Sequence, residues 1–207
     1  PSSEGGGGLD EGTHSNCKIS VTTSDNVTSD NLSVNSFVID TIAPVLDNVT
    51  NVRNPINSLT PNYTYSSDEA VDNITGSYIT YGGSCSSDNN TASVGNNTVT
   101  FNTLVDGRTY SDCTITLTDN ATNASSALAV NTFTVDTTAP ILDNVTGGRV
   151  PTPDNDSTPN YTFSSSEAGT ITYGGDCSST DNNTSASGDK TITFNALADG
   201  THSNCTI

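Results

Sequence analysis

Apolar and polar residues alternate along much of this chain in short runs. Tyr63-Thr64-Tyr65, Val99-Thr100-Phe101 and Ile115-Thr116-Leu117 each set two large side chains on one side of an extended segment and a threonine on the other. Thr, Val, Ile and Tyr in that period-2 pattern suit a half-buried strand. No stretch carries apolar residues at helical spacing. Between residues 43 and 139 the alternation predicts strands near 45–51, 61–67, 78–83, 97–103, 110–118 and 127–135. The breaks hold Asn-Pro, Ser-Asp-Glu, Asp-Asn-Asn, Asp-Gly and Asp-Asn clusters, which supply local side-chain bonds or positive φ. Six or seven short strands without a helix predict an all-β antiparallel sandwich with exposed sheet edges.

The pattern repeats. Leu9-Asp10-Glu11-Gly12-Thr13-His14-Ser15-Asn16-Cys17 recurs as Leu104 to Cys113 with one extra residue, and again as Leu197 to Cys205. Val38-Ile39-Asp40-Thr41-Ile42-Ala43-Pro44 recurs as Thr134 to Pro140, Thr60-Pro61-Asn62-Tyr63-Thr64 as Thr158 to Thr162, and Tyr81-Gly82-Gly83-Ser84-Cys85 as Tyr173 to Cys177. The period is 96 residues from Cys17 to Cys113 and 92 from Cys113 to Cys205. A unit of that length is a small domain, longer than the solenoid repeats of about 20–50 residues. The expected division is the C-terminal part of a first repeat in 1–42, a complete repeat in 43–139, and the N-terminal part of a third in 140–207.

Composition limits the core and the partners. Of 207 residues 31% are hydrophobic and 6% aromatic, with no Met or Trp, against 35 Thr, 28 Ser and 25 Asn. A net charge of −18 repels phosphate backbones and anionic lipid, which argues against nucleic-acid and membrane-surface binding. No apolar stretch approaches the roughly 20 residues of a membrane span. The opening Pro1 to Gly8, rich in Gly, lacks the basic and apolar regions of a signal peptide and matches nothing in the third repeat. The chain therefore reads as an interior piece of something longer.

The Val135-Asp136-Thr137-Thr138-Ala139-Pro140 junction, the Thr118-Asp119-Asn120-Ala121-Thr122-Asn123 segment and the alternating strand before it resemble the bacterial immunoglobulin-like (Big-type) tandem repeats of giant extracellular adhesins and fibres. The resemblance covers nearly all of residues 9–207. It implies seven-stranded sandwiches strung in tandem, exported to the bacterial surface or beyond, with mechanical or adhesive roles and often calcium at the junctions. Two positions depart from the pattern: Thr122 stands where Gly is usual, and Thr23 where Asp119 would align.

Five cysteines at repeating positions read as one bridge per domain. Cys85–Cys113 and Cys177–Cys205 each close 28 residues, a loop that contributes about 3–4 kcal/mol in the chain-entropy model. Cys17 corresponds to Cys113, and its expected partner lies upstream of the residues supplied. Clustered Cys or His spacing for zinc is absent, and disulfides place the protein in an oxidising, extracellular setting.

Catalysis finds no support. His14 and His202 occupy one repeat position, where the middle repeat has Tyr110, so the residue reads as structural and resembles the tyrosine corner of sandwich domains. The acids are the better candidates, through Ca²⁺, which takes oxygen ligands from several loops. Sandwich geometry would gather Asp10 or Glu11, Asp40, Glu69 and Asp119 at the first junction, and Asp106, Asp136 and Glu167 at the second. The competing reading makes these acids turn formers and solubilising charge, with no cofactor required. Fifteen Asn-x-Ser/Thr sequons add a candidate for glycan coating.

Two functions follow. The first is a non-enzymatic filament or stalk whose repeats act as spacers, its partners being adjacent repeats or copies of the chain met head to tail. The second is an adhesin module for a carbohydrate or protein, which would want exposed aromatics. Within the first, residues 32–39, with Leu32, Val34, Phe37 and Ile39, form a last strand without a domain of its own, and could complete the sheet of another copy. Because 9–19 and 197–207 duplicate one strand, a window onto a longer continuous chain is the preferred expectation.

Overall fold

The computed structural model describes residues 8–181 and 183–207, so most of the Gly-rich start lies outside the described residues. The chain divides into two compact units at Thr137/Thr138. Every regular element among the described residues is a β-strand, and all the strand pairs are antiparallel.

The first unit begins with a hairpin. Strand β1 (Gly12–His14) is followed by β2 (Lys18–Ile19), β3 (Leu32–Ser33) and β4 (Phe37–Ile39); β1 pairs β4 and β2 pairs β3. Leu32 and Val38 are 69% and 64% exposed, so this hairpin has alternating strands without a core beneath them.

The remainder of the unit holds β5 (Leu46–Thr50), β6 (Asn62–Ser67), β7 (Tyr78–Gly82), β8 (Gly95–Thr100), β9 (Thr109–Tyr110), β10 (Thr114–Thr118), β11 (Leu128–Ala129) and β12 (Phe133–Thr134). Two three-stranded sheets form, β5-β6-β8 and β11-β10-β7, with β12 on β9. Tyr63, Tyr65 and Val99 from the first sheet and Ile115 and Leu117 from the second enter one buried cluster, while the alternate Thr64, Thr114 and Thr116 are only half-buried. This is the packing that the period-2 pattern requires.

An aromatic row crosses that core. Ring centroids are 6.5 Å apart for Tyr63 and Phe101, 6.4 Å for Phe101 and Phe133, and 5.4 Å for Phe133 and Tyr110. Phe133 reaches this position because its strand is bonded on both edges. Val130 and Val135 donate to the carbonyls of Cys113 and Arg108 on one side, while Ile56 donates to Thr134 and Asp136 donates to Ile56 on the other. Asn131, between β11 and β12, clamps Val52 by accepting from its N–H and donating to its carbonyl.

The second unit holds β13 (Leu142–Asn144), β14 (Asn160–Ser165), β15 (Gly169–Thr170), β16 (Thr184–Ser185) and β17 (Gly188–Thr193), as a sheet β13-β14-β17 and a pair β15-β16. Phe163, Ile171, Cys177, Ile192 and Phe194 make its smaller core.

Phe133 is fully buried and Phe37, its match in the repeat, sits on a hairpin without a core. Phe133→Ala should therefore cost about 3–5 kcal/mol and Phe37→Ala under about 1 kcal/mol, as read from urea midpoints; equal costs would contradict this account of the core. At Thr122 the backbone takes φ of 72°, the left-handed region that a β-branched residue resists. Thr122→Gly should stabilise by about 1 kcal/mol, and a destabilised variant would show that the Thr side chain contributes more than its strain.

Candidate functional site

The cysteine bridges form where strand pairing brings them together. Gly82 is opposite Thr114 and Gly174 is bridged to Thr206, so the residues just beyond each pair lie side by side. Cys85–Cys113 has Cα atoms 5.2 Å apart and Cys177–Cys205 5.1 Å. The second Gly of each Tyr-Gly-Gly-x-Cys run has positive φ, at Gly83 and Gly175, and a Cβ there would overlap the carbonyl of Asp112 or Asn204. Glycine is thus what lets each Cys turn back against its partner strand. Cys17 carries a free thiol, and its carbonyl accepts from Val34 as that of Cys113 accepts from Val130. Two disulfides suggest an oxidising, non-cytoplasmic environment. No helix among the described residues is long and apolar enough to cross a membrane.

The His/Tyr position holds one turn in two chemistries. Tyr110 accepts at its hydroxyl from the Val105 N–H at 2.8 Å. His14 donates from Nε2 to the Asp10 carbonyl at 2.8 Å, and His202 from Nε2 to the Ala198 carbonyl at 2.9 Å. Val105, Asp10 and Ala198 are the same repeat position, immediately after the repeated Leu. The ring spans one turn in each case and only the hydrogen-bond direction changes, because the His turns are one residue shorter.

The acids are directed mainly at amides. Glu11 accepts from the Thr41 N–H and hydroxyl, and Asp106 from the Thr137 N–H at 2.7 Å, the matching pair in the repeat. Asp119 is only 4% exposed, and its carboxylate accepts from the N–H and Nδ2 of Asn123 at 2.8 and 2.9 Å. Asn123 Nδ2 also donates to the Asp40 carbonyl at 3.0 Å, and Asp40 accepts from the Ile42 N–H through its own side chain. Glu69 is pushed above the usual carboxylate range, first by burial and then by the charges of Asp119, Asp40 and Asp68. Among the described residues, no group of three or more His, Cys, Asp or Glu converges as a metal site. Asp40, Glu69 and Asp119 share a neighbourhood, whereas Glu11 is turned to Thr41 and Asp10 contributes its carbonyl to His14. No calcium chemistry is derived from these amide-directed carboxylates. Asp106 and Asp136 lie in the first unit and Glu167 in the second, where Ser165 holds the Glu167 backbone.

A concave feature lies within the second unit, a cavity of about 940 Å³. Its two rims are the segment Val150–Asp154 and the segment Gly200–Ile207, and Tyr161, Phe163 and Phe194 line its floor. In the first unit the matching rims are 52–56 and 107–115, and residues 128–135 fill the space between them. Val52, Leu104, Tyr110, Cys113 and Ile115 are buried there; Val150, Leu197, His202, Cys205 and Ile207 are only half-buried. The strand-complementation residues sit on the N-terminal hairpin. Leu32 is opposite Ile19, Phe37 opposite His14 with rings 5.4 Å apart, Ile39 opposite Gly12, and Val34 is bonded to Cys17.

Sequence reasoning missed Asn131 and the Val52–Ile56 rim. The repeated Val-Asn-Ser/Thr-Phe (34–37 and 130–133) and Val-x-x-Pro (52–55 and 150–153) are the signals that carry them. No family model matches the chain, and neither does any curated protein or solved structure.

Raising Glu69 has a sign. Its folded-state pKa lies above the ordinary 4.5, so its contribution is fully present below that value and is lost as pH rises through the raised pKa. Glu69→Gln should make the protein more stable than the parent at pH 7, with the difference gone near pH 4, in urea titrations at both. A cation held by Asp40, Glu69 and Asp119 would reverse the sign at pH 7 and make the parent sensitive to chelator.

Proposed function

We infer that the chain is a non-enzymatic structural segment or subunit of an extracellular bacterial filament or cell-surface stalk. Its units are immunoglobulin-like sandwich repeats in tandem, and its partners are adjacent repeats or copies of the same chain, met head to tail. The observation that carries this reading is the recurrence of one staple. Both bridges span 28 residues, join matching segments of the repeat and follow the same glycine turn. A bridge in each unit limits how far that unit can extend under tension, which suits a spacer with a thin core.

Supporting features point the same way. The Nε2 hydrogens of both histidines are engaged by backbone carbonyls, and the carboxylates of Glu11, Asp72, Asp106 and Asp119 accept from backbone N–H groups. Tyr63, Tyr65, Phe101, Tyr110 and Phe133 are buried, which speaks against an aromatic binding surface of the adhesin kind. High negative charge and threonine-covered sheet faces keep such a stalk dispersed and discourage edge pairing. Electron micrographs of the native material should show a regular thin fibre, and a field of isolated particles would overturn the reading.

A further inference from the structure

We propose that the turn at 119–123 and its repeat match at 23–27 are attachment sites for N-linked glycans, at Asn120 and Asn26. The inference goes beyond the structural reading above and needs only an exported chain, which the disulfides support.

The two turns share one geometry. Asp119 donates its N–H to the Asn123 carbonyl and Thr122 donates to that of Asp119, while Thr23 donates to the Val27 carbonyl and Asn26 to that of Thr23. By the 96-residue period Thr122 corresponds to Asn26, and both take left-handed backbone, with φ of 72° and 61°. Asn tolerates that region through its short polar side chain. Thr resists it, because its branched side chain crowds the backbone. The Thr122 hydroxyl meets no hydrogen-bond partner among the described residues that would offset the strain. A glycine would serve the turn itself better.

What Thr122 does supply is a hydroxyl two residues after Asn120. That hydroxyl makes Asn120-Ala121-Thr122 an acceptor for glycan transfer. A strained residue that the fold does not need points to a use outside the fold. The first turn keeps the same feature in another register. Ser24 stands there at the place of Asn120, and the acceptor instead begins at Asn26 and runs through Val27 to Thr28. Both copies of the turn thus carry an acceptor, although different residues make it.

Exposure and bonding set these two asparagines apart from neighbouring sequons. Asn120 and Asn26 are exposed, and no hydrogen bond ties either side-chain amide among the described residues. Asn123 begins the next sequon but is half-buried, with Nδ2 committed to the Asp40 carbonyl and the Asp119 carboxylate. Asn62 accepts from the Thr100 hydroxyl across β6 and β8. In the transfer, the amide nitrogen bonds to C1 of the first sugar of a lipid-diphosphate-linked oligosaccharide. The bond from C1 to the diphosphate oxygen breaks, the lipid diphosphate leaves, and the amide gives one proton to the transferase. A sugar on Asn123 displaces both bonds of its Nδ2, whereas one on Asn120 displaces none.

Peptide mapping by mass spectrometry of the full chain recovered from its source should find glycan mass on Asn120 and Asn26, with Asn62 and Asn123 bare. In chains expressed in that source, Thr122→Gly should abolish the sugar on Asn120 and leave that on Asn26 unchanged, while Thr122→Ser, which keeps a hydroxyl, should retain both. Thr122→Gly relieves the strain, so its urea midpoint should be no lower than the parent's, and a lost sugar is then not a lost fold. Native chains with Asn120 or Asn26 bare overturn the proposal, as does equal occupancy at Asn123 or a sugar that persists on Asn120 in Thr122→Gly. The filament reading fails or stands separately, since fibres can be bare and isolated particles can carry glycans.

Discussion

Phe133 occupies the one place in the first unit where every constraint meets. It lies between Phe101 and Tyr110 in the aromatic row, and the strand that carries it is bonded to the 107–115 segment on one edge and to Ile56 on the other. A chain with no Met or Trp and 6% aromatic residues has few large groups with which to fill a core. Placing one ring where two sheets and a rim strand converge lets a single side chain hold three backbone segments in contact. The Cys85–Cys113 bridge acts next to it, joining the residue after Gly82-Gly83-Ser84 to the foot of β10. It anchors one end of the 107–115 segment to which Val130 and Val135 bond.

Strand positions and bridge pairing were legible because both are local signals. Alternation placed β6, β7 and the end of β10 within a residue or two of where they lie, and the repeated Cys spacing names the two pairs present. What alternation could not show is where a strand breaks without a turn. The expected strand 127–135 divides into β11 and β12 because Asn131 points its amide sideways at Val52. The expected strand 110–118 divides into β9 and β10 around Cys113. Neither break has a glycine or proline to announce it, since each serves a tertiary contact.

The acids illustrate a second limit. Repeated carboxylates near junctions suggested an ion, because charge density is visible in sequence and hydrogen-bond direction is not. Glu11 and Asp106 instead tie the N–H of Thr41 and Thr137. Asp72 shows the same chemistry away from any junction: the amide donors of Ile74 and Thr75, with the Thr75 and Ser77 hydroxyls, hold its carboxyl well below the usual range. Asp112 is lowered chiefly by the hydroxyl of Ser84. Much of the net charge of −18 thus accompanies backbone donors at turns, where an acceptor with two oxygens outperforms a neutral side chain. Glu69 is the exception, a carboxyl raised first by burial and then by the charges of Asp119, Asp40 and Asp68.

The segments 32–39 and 128–135 show how one sequence pattern serves two energetic states. In the first unit the segment is enclosed and its side chains are core. In the hairpin the same pattern is held by one neighbour, with Leu32 exposed and Val34, Phe37 and Ile39 half-buried. Local hydrogen bonding along the shared edge is nearly identical in the two, down to the Val34 and Val130 amides. What distinguishes the states is the second edge, which Val52 and Ile56 supply to 128–135, and the Phe101 ring against which Phe133 packs. An alternating pattern thus becomes core only where the tertiary structure supplies a second edge and a packed face, because strand preference is a preference for a half-buried surface and not for the backbone alone.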